Sequence, residues 1–383
     1  MKNSYDWIES LPRLEAAACI LGQADIIGVD LEADSMFHYF EKVCLLQIAT
    51  ESTSYVIDSL ALRDLSALRP VLSNPQIRKV FHGADYDIRS LYRDFQLEVE
   101  NLFDTHLACK FLGLRETGLE ALLRSRFQVE LNKKYQKADW SQRPLPPEMV
   151  EYAAMDGQYL IPLAQLLEKE LEEKNRLSWV KEECLLLSRV RFPAPVSGPL
   201  SLKVKGASRL DPRSLAVLEA LLKFREARAQ RSDLPPFKIL RNEPLLDLAM
   251  KKPLDLEELE ATKVLSRKQI DRFGMELLQE LRRALTIPEE DLPQYPRDGR
   301  PNLSSSVRQR VKALKTWREG RAKDLGIEPG ILLNNVLING LALKNPCSSK
   351  EMEEIPGFKK WQQKVFGEEI LVAKKRKAEG DEK

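Results

Sequence analysis

Short apolar runs with a period of two mark the front of the chain, and helical spacing takes over behind them. Residues 5–22 read as an opening helix that ends at Gly22. Asp25–Ala33 is apolar and mostly β-branched, which predicts a buried strand. Val43–Thr50 and Ser54–Asp58 follow at separations short enough for an antiparallel meander with it. Leu65–Leu72 reads as helical and Arg78–His82 as another buried strand. Asp85–Phe95 is a helix, because Ile88, Leu91, Tyr92 and Phe95 recur at helical spacing. Leu102–Asp104 is extended and Thr105–Leu112 begins a helix. Leu131–Pro147 is a polar loop; Pro146-Pro147-Glu148 then starts a helix running to about Lys174, with Pro162 placed to kink it. A helix over Trp179–Val190 closes the unit. A meander followed by alternating strands and helices predicts an α/β domain, a mixed sheet with helices on both faces, over residues 1–190.

Residues 191–207 read as a linker, since Arg191–Gly206 carries three prolines and two glycines without periodicity. Beyond it lies an internal repeat. Phe224-Arg225-Glu226-Ala227-Arg228-Ala229 recurs 93 residues later as Trp317-Arg318-Glu319-Gly320-Arg321-Ala322. At the same offset Pro236 meets Pro329, Leu240 meets Leu333, Asn242 meets Asn335 and Pro253 meets Pro346. Two copies of one small all-α domain are expected, over 208–287 and 304–372, joined by a linker over 288–303. Each would hold a long helix, a short buried helix around its Asn, and two more short helices. Residues 373–383 form a charged tail whose Lys374–Lys377 run reads as a solvated end or a nuclear signal.

Composition narrows the partners. The net charge is +2, but residues 1–190 hold 22 Lys/Arg against 30 Asp/Glu and residues 191–383 hold 38 against 28. An acidic front that binds cations and a basic back that holds a polyanion would divide the labour. Five scattered cysteines without a CxxC pair argue for reduced thiols and a cytoplasmic protein, not a disulfide framework or zinc site. No apolar stretch approaches a membrane span, and the N-terminus does not resemble a secretory signal.

The candidate chemistry lies in acids. Asp30 and Glu32 alternate on the first strand and therefore share a face. Burying two carboxylates together costs several kcal/mol, order of magnitude, unless a cation compensates them, and oxygen ligands suit Mg or Mn. Asp85 and Asp87 open the helix after the Arg78–His82 strand; Asp85 reads as an ordinary first-turn acid, and Asp87 as the one lifted by its frame with His82 and Leu91. Tyr152 and Asp156 are four residues apart on one helical face.

Together these segments resemble ribonuclease D, of the DEDD superfamily of 3′→5′ exonucleases. The matching motifs are Val29-Asp30-Leu31-Glu32, Val80 through Asp87, and Tyr152-Ala153-Ala154-Met155-Asp156, which places the chain with the tyrosine subgroup. The subgroup's histidine, where present, precedes the tyrosine, and Glu151 stands there. Asp139-Trp140-Ser141-Gln142-Arg143-Pro144-Leu145 is similar to a further family segment. The two repeats resemble HRDC domains. The resemblance implies a ribonuclease H-like exonuclease fold followed by two HRDC-like domains. It also implies two divalent metal ions, Mg or Mn, with Asp30 bridging both, Glu32 and Asp156 completing one, and Asp87 serving the other. Tyr152 would orient the attacking water, since a phenol with a pKa near ~10 is a poor base at neutral pH. The implied substrate is the 3′ end of structured RNA, tRNA precursors above all, and the implied protein is a monomer away from membranes. The open alternatives are a DNA 3′→5′ exonuclease using the same four acids and a non-catalytic nucleic-acid-binding module.

Substrate contacts read less sharply. Phe37, His38, Tyr39 and Phe40 either stack on terminal bases or form a packed loop. His82 is a core histidine or a substrate contact; Trp140 and Arg143 touch the RNA backbone or brace their loop. Gln47 lies on a strand expected to face the cleft. Asp58 and Asp104 end strands and read as caps, and Arg225, Arg228, Arg318 and Arg321 read as shared packing.

Overall fold

A computed structural model describes residues 5–130, 133–193, 198–296 and 303–374, without the side chains of Lys133 and Asp156. Parts of both expected linkers and the tail from residue 375 lie outside the described residues. Six strands form one sheet: β1 (Tyr5–Ile8), β2 (Ile26–Ala33), β3 (Val43–Ala49), β4 (Ser54–Asp58), β5 (Arg78–Phe81) and β6 (Leu102–Asp104), in the order β1-β4-β3-β2-β5-β6. The meander β2-β3-β4 is antiparallel, while β1 pairs parallel to β4, β5 to β2 and β6 to β5. The sheet is therefore mixed, as expected.

The helices around it are α1 (Leu11–Leu21), α2 (Ser59–Leu62), α3 (Arg69–Leu72), α4 (Asp85–Phe95), α5 (Thr105–Leu112), α6 (Leu119–Phe127), α7 (Pro147–Asp156), α8 (Leu160–Glu173) and α9 (Leu177–Leu187). The opening segment differs from its expectation. Pro12 stands in the first turn of α1 and starts that helix late, and the Tyr-Asp-Trp-Ile stretch before it pairs with β4 as an edge strand. The expected long helix from Pro147 to Lys174 is two helices. The break falls at Gly157–Tyr159, and Pro162 sits harmlessly in the first turn of α8.

The repeat carries through the backbone. The first copy holds α10 (Pro212–Ser232), α11 (Pro236–Ile239), α12 (Asn242–Lys251), α13 (Leu256–Ala261) and α14 (Arg267–Leu285). The second holds α15 (Ser305–Leu325), α16 (Pro329–Leu332), α17 (Asn335–Lys344), α18 (Ser349–Glu353) and α19 (Lys360–Ala373). Each copy thus ends on a long helix, where two short ones were expected. The matched arginines are internal staples. Arg225 donates to the Leu240 carbonyl and the Asn242 side chain, and Arg318 donates to the Leu333 carbonyl and the Asn335 side chain. Arg228 pairs with Glu276 and Arg321 with Glu369, again one offset apart.

The chain packs as two compact units that cut across the expected boundaries. The described residues 303–374 pack with the six-stranded sheet, so the second helical copy belongs to that unit. Trp361 stacks on Trp179 at 4.9 Å between ring centroids, with Phe111 edge-on to Trp361 at 5.5 Å. Glu182 accepts the backbone N–H groups of Lys360 and Trp361 at the start of α19, and Glu183 accepts from Lys359 and the Trp361 indole. Buried Arg176 donates to the carbonyls of Phe111 and Leu325. Gly113 lies so close to Gly326 that a Cβ there would meet its carbonyl oxygen at 1.8 Å.

The second unit joins the described residues within 193–296 to the loop Asp34–Lys42, which the sequence places with the exonuclease domain. The reason is Asp233, the left-handed cap of α10. Its carboxylate takes the His38 ring Nδ1 at 2.8 Å and the backbone N–H groups of Tyr39 and Phe40 at 3.0 and 3.1 Å. Lys238 stands over the Phe37 ring at 4.1 Å, and Tyr39 packs against the first copy's core. Charge-assisted bonds to backbone N–H groups are the stronger kind. In Asp233→Ala the amides of Tyr39 and Phe40 should exchange with deuterium at least about tenfold faster than in wild type, since ~1.4 kcal/mol is a factor of ten and such bonds contribute ~1.5–3 kcal/mol; unchanged protection would show that the carboxylate does not hold the loop.

Candidate active site

Strand β2 builds the site's floor. Its period places Gly28, Asp30 and Glu32 on one face, and β3 sets Ala49, Gln47 and Leu45 opposite them. Helix α7 covers this face farther out: Leu45 and Val56 cluster with Trp140, Met149, Val150, Ala153 and Ala154, with Tyr152 packed against them. The helix reaches β2 at its end. A Cβ on Gly28 would stand 2.6 Å from the Gly157 carbonyl oxygen, so only glycine lets the α7–α8 junction come this close. Gly157 follows Asp156, whose side chain lies outside the described residues.

Strand β5 lies beside β2 and feeds α4, which carries Asp87 in its first turn. The turn before α4 is fixed by Asp104. Its carboxylate accepts the N–H groups of Gly83 and Ala84, both at 2.9 Å, and also caps α5 through His106 and Leu107. Asp85 is exposed and forms a two-point ion pair with Arg89, at 2.7 and 3.1 Å. Asp87 meets different surroundings. Burial first, then the carboxylates of Asp30, Asp104 and Asp85, push its carboxyl well above the ordinary carboxylate range. An acid held this way by an acidic neighbour is a natural ligand for a divalent cation, which relieves the repulsion and accepts hard oxygen donors. The donor set thus fits Mg or Mn. Among the described residues, no three His, Cys, Asp or Glu side chains gather at metal-holding distance.

Of the other expected contacts, Gln47 lies beside these acids, and the rest have partners elsewhere. Trp140 is 1% exposed, inside the core that braces α7, with its ring 6.0 Å from that of Tyr152. Arg143 binds both carboxylate oxygens of Asp58 at 2.7 Å and donates to the carbonyls of Trp140, Gln142 and Cys44. Both residues brace the Asp139–Leu145 loop, and burial removes Trp140 from any RNA backbone. His82 donates to or accepts from Thr105 Oγ1 at 2.9 Å and stacks on His106. Burial pushes its pKa down to about 4, with Asp104 opposing and His106 adding, so it is neutral at physiological pH. Phe37, His38 and Tyr39 are engaged by the first helical copy, and Phe40 is the exposed ring of that loop. Gln47 is buried on the floor opposite Asp30. Sequence reasoning passed over Gly28 and Gly157; a glycine inside a strand was the available signal of a close backbone approach.

Known proteins match this architecture in both parts. A 3′-5′ exonuclease family model matches residues 5–172, and an HRDC domain model matches residues 214–281 and 307–373. Ribonuclease D of Desulfotalea psychrophila is 30% identical over 314 residues, covering 81% of this chain and 83% of the relative. The chain belongs to the ribonuclease D family. Like other ribonuclease D proteins it is a 3′→5′ exoribonuclease, and the family depends on a divalent metal. The crystal structure of Escherichia coli RNase D, an exoribonuclease involved in structured RNA processing, superposes with a TM-score of 0.72 at 26% identity, covering 97% of this chain and 98% of that one. Protein RRP6-like 3 of Arabidopsis thaliana is 42% identical over 174 residues, but the match spans only 20% of that longer protein.

Two substitutions separate the ribonuclease D site from its scaffold. Asp87→Asn should abolish cleavage, yet raise the melting temperature of the metal-free protein by about 2–4 °C at about pH 8, as expected if relieved repulsion is worth ~1 kcal/mol. A lower melting temperature would mean that Asp87 stabilises the fold. Gly28→Ala should keep the far-ultraviolet circular dichroism spectrum while single-turnover cleavage falls by about a hundredfold, because displacement by ~1 Å at a catalytic group costs that much; wild-type turnover would show that the close approach is dispensable.

Proposed function

We propose that the protein trims 3′ extensions from structured RNA precursors, tRNA above all, releasing nucleoside 5′-monophosphates. The supporting observation is the confrontation of Asp87 with Asp30, two acids whose repulsion a cation relieves. In this reading Asp30, Glu32, Asp87 and Asp156 hold two divalent ions. When bound, the ions supply an activated water and relieve charge on the attacking and leaving oxygens of the phosphodiester. Asp30, Glu32 and Asp156 would hold one ion and Asp87, with Asp30, would hold the other. Tyr152, flanked by the rings of Trp140 and Tyr135, points its phenol so that the water is oriented for attack, a positioning role consistent with a group too weakly acidic to act as base.

The excess of positive charge in residues 191–383 supplies the long-range attraction for folded RNA. The arginines repeated at the 93-residue offset are committed to internal pairs and are not part of that attraction. A short 3′ end would then be trimmed by a monomer in the cytoplasm.

The test follows a labelled tRNA bearing a few extra 3′ nucleotides, with Mg, with Mn and with EDTA, for wild type and Asp156→Ala, beside a DNA strand of matched sequence. The expected outcome is metal-dependent loss of one nucleotide at a time from the RNA, absent in the variant. Equal trimming of the DNA would favour the broader exonuclease, and equal rates on unstructured RNA would remove the tRNA assignment.

A further inference from the structure

Gln47 is 2% exposed, and neither its Nε2 nor its Oε1 has a hydrogen-bond partner among the described residues. A buried carboxamide left unsatisfied on both atoms costs stability, and such groups ordinarily find a partner. Its position says where the partner lies. Gln47 is in register with Asp30 on β2 and with Val56 on β4, so the three side chains leave the sheet on one face. The Val56 side is apolar, and Leu45 and Val56 continue into the cluster under α7. Along the strand, its neighbours on this face are Leu45 and Ala49. The polar direction is toward Asp30 and Glu32.

We propose that Gln47 is a positioning residue for the metal-binding carboxylates. Its amide N–H donates to the Asp30 carboxylate when a divalent ion is bound and fixes the rotamer in which Asp30 meets the ion. The Oε1 atom accepts a hydrogen bond from water at the same floor. The neutral carboxamide is suited to this place: a lysine would replace the ion, a glutamate would add a third like charge beside Asp30 and Asp87, and an apolar residue would offer the carboxylate no donor. Outer partners of metal ligands commonly carry a 10–100-fold effect on affinity without touching the metal. This inference rests on the metal-dependent reading above.

The experiment compares wild type, Gln47→Leu and Asp87→Asn, using the full chain. Mn binding is measured by titration calorimetry, and thermal melting is recorded with and without Mn. For Gln47→Leu the expected result is Mn affinity lower by about 10–100-fold, with the metal-free protein melting at or above the wild-type temperature because two unsatisfied polar atoms are gone. Gln47→Glu should lower the metal-free melting temperature, because it adds a third like charge beside Asp30 and Asp87; an unchanged melting temperature would count against Gln47 facing Asp30. Wild-type Mn affinity in Gln47→Leu would overturn the proposal; if that came with a lost preference for RNA over DNA, Gln47 would instead serve the ribose hydroxyl. A metal-free Gln47→Leu protein that melts below wild type would also overturn it, since the amide would then be holding the fold. Absence of Mn binding by wild type would overturn the metal site itself, and binding by wild type but not by Asp87→Asn would leave that site standing whatever Gln47 does.

Discussion

Like charges brought together in a half-buried place set the terms for the rest of this molecule. Asp30 cannot leave the face that the strand period assigns to it, and Asp87 cannot leave the first turn of α4. The scaffold holds them in opposition. Asp104 fixes the turn before α4 with two backbone hydrogen bonds, and the parallel pairing of β2 with β5 fixes the distance between the two elements. Asp85 turns outward to Arg89 and is spared this confrontation. The strain is local and modest, and a protein that is stable by only ~5–15 kcal/mol can carry it where function needs it.

The helical copies show one fold used with two kinds of seat. Both long helices end in a left-handed residue at matching positions, Asp233 and Gly326. At the second, the Gly326 carbonyl comes so close to Gly113 that only a glycine at 113 admits it, and Arg176 reaches the neighbouring carbonyl of Leu325. At the first, a carboxylate gathers the backbone of the loop after β2. The internal staples, from the arginine–asparagine pairs to the arginine–glutamate pairs, are the same in both. What the copies share keeps their shape, and where they differ decides what each one holds.

Much of this was legible in the sequence. Five of the six strands announce themselves as apolar runs, and the repeat offset of 93 residues reappears in every helix start of the second copy. Asp87 could be preferred to Asp85 by its frame. The failures are physical. Strand β1 is four residues at a sheet edge, too short to show a period, and it was absorbed into the helix behind it. The interruption at Gly157 depends on an approach to Gly28 more than a hundred positions away in the chain, which no local pattern encodes. For Trp140 and Arg143 the sequence left RNA contact and bracing both open, and the burial of Trp140 and the saturated partners of Arg143 favour bracing.

The division into units has a consequence for how the chain is made. One unit is interrupted: it begins before residue 193 and is completed only by residues from 300 onward, with the first helical copy nested between. Trp179 waits for Trp361, and His38 waits for Asp233, 195 residues further on. During synthesis the nested copy can bury its own core early, because its contacts are local, whereas the flanking unit cannot close until the second helical copy has been made. The catalytic sheet of this exoribonuclease is therefore fully supported only after the nested copy has been made, although it is encoded before that copy.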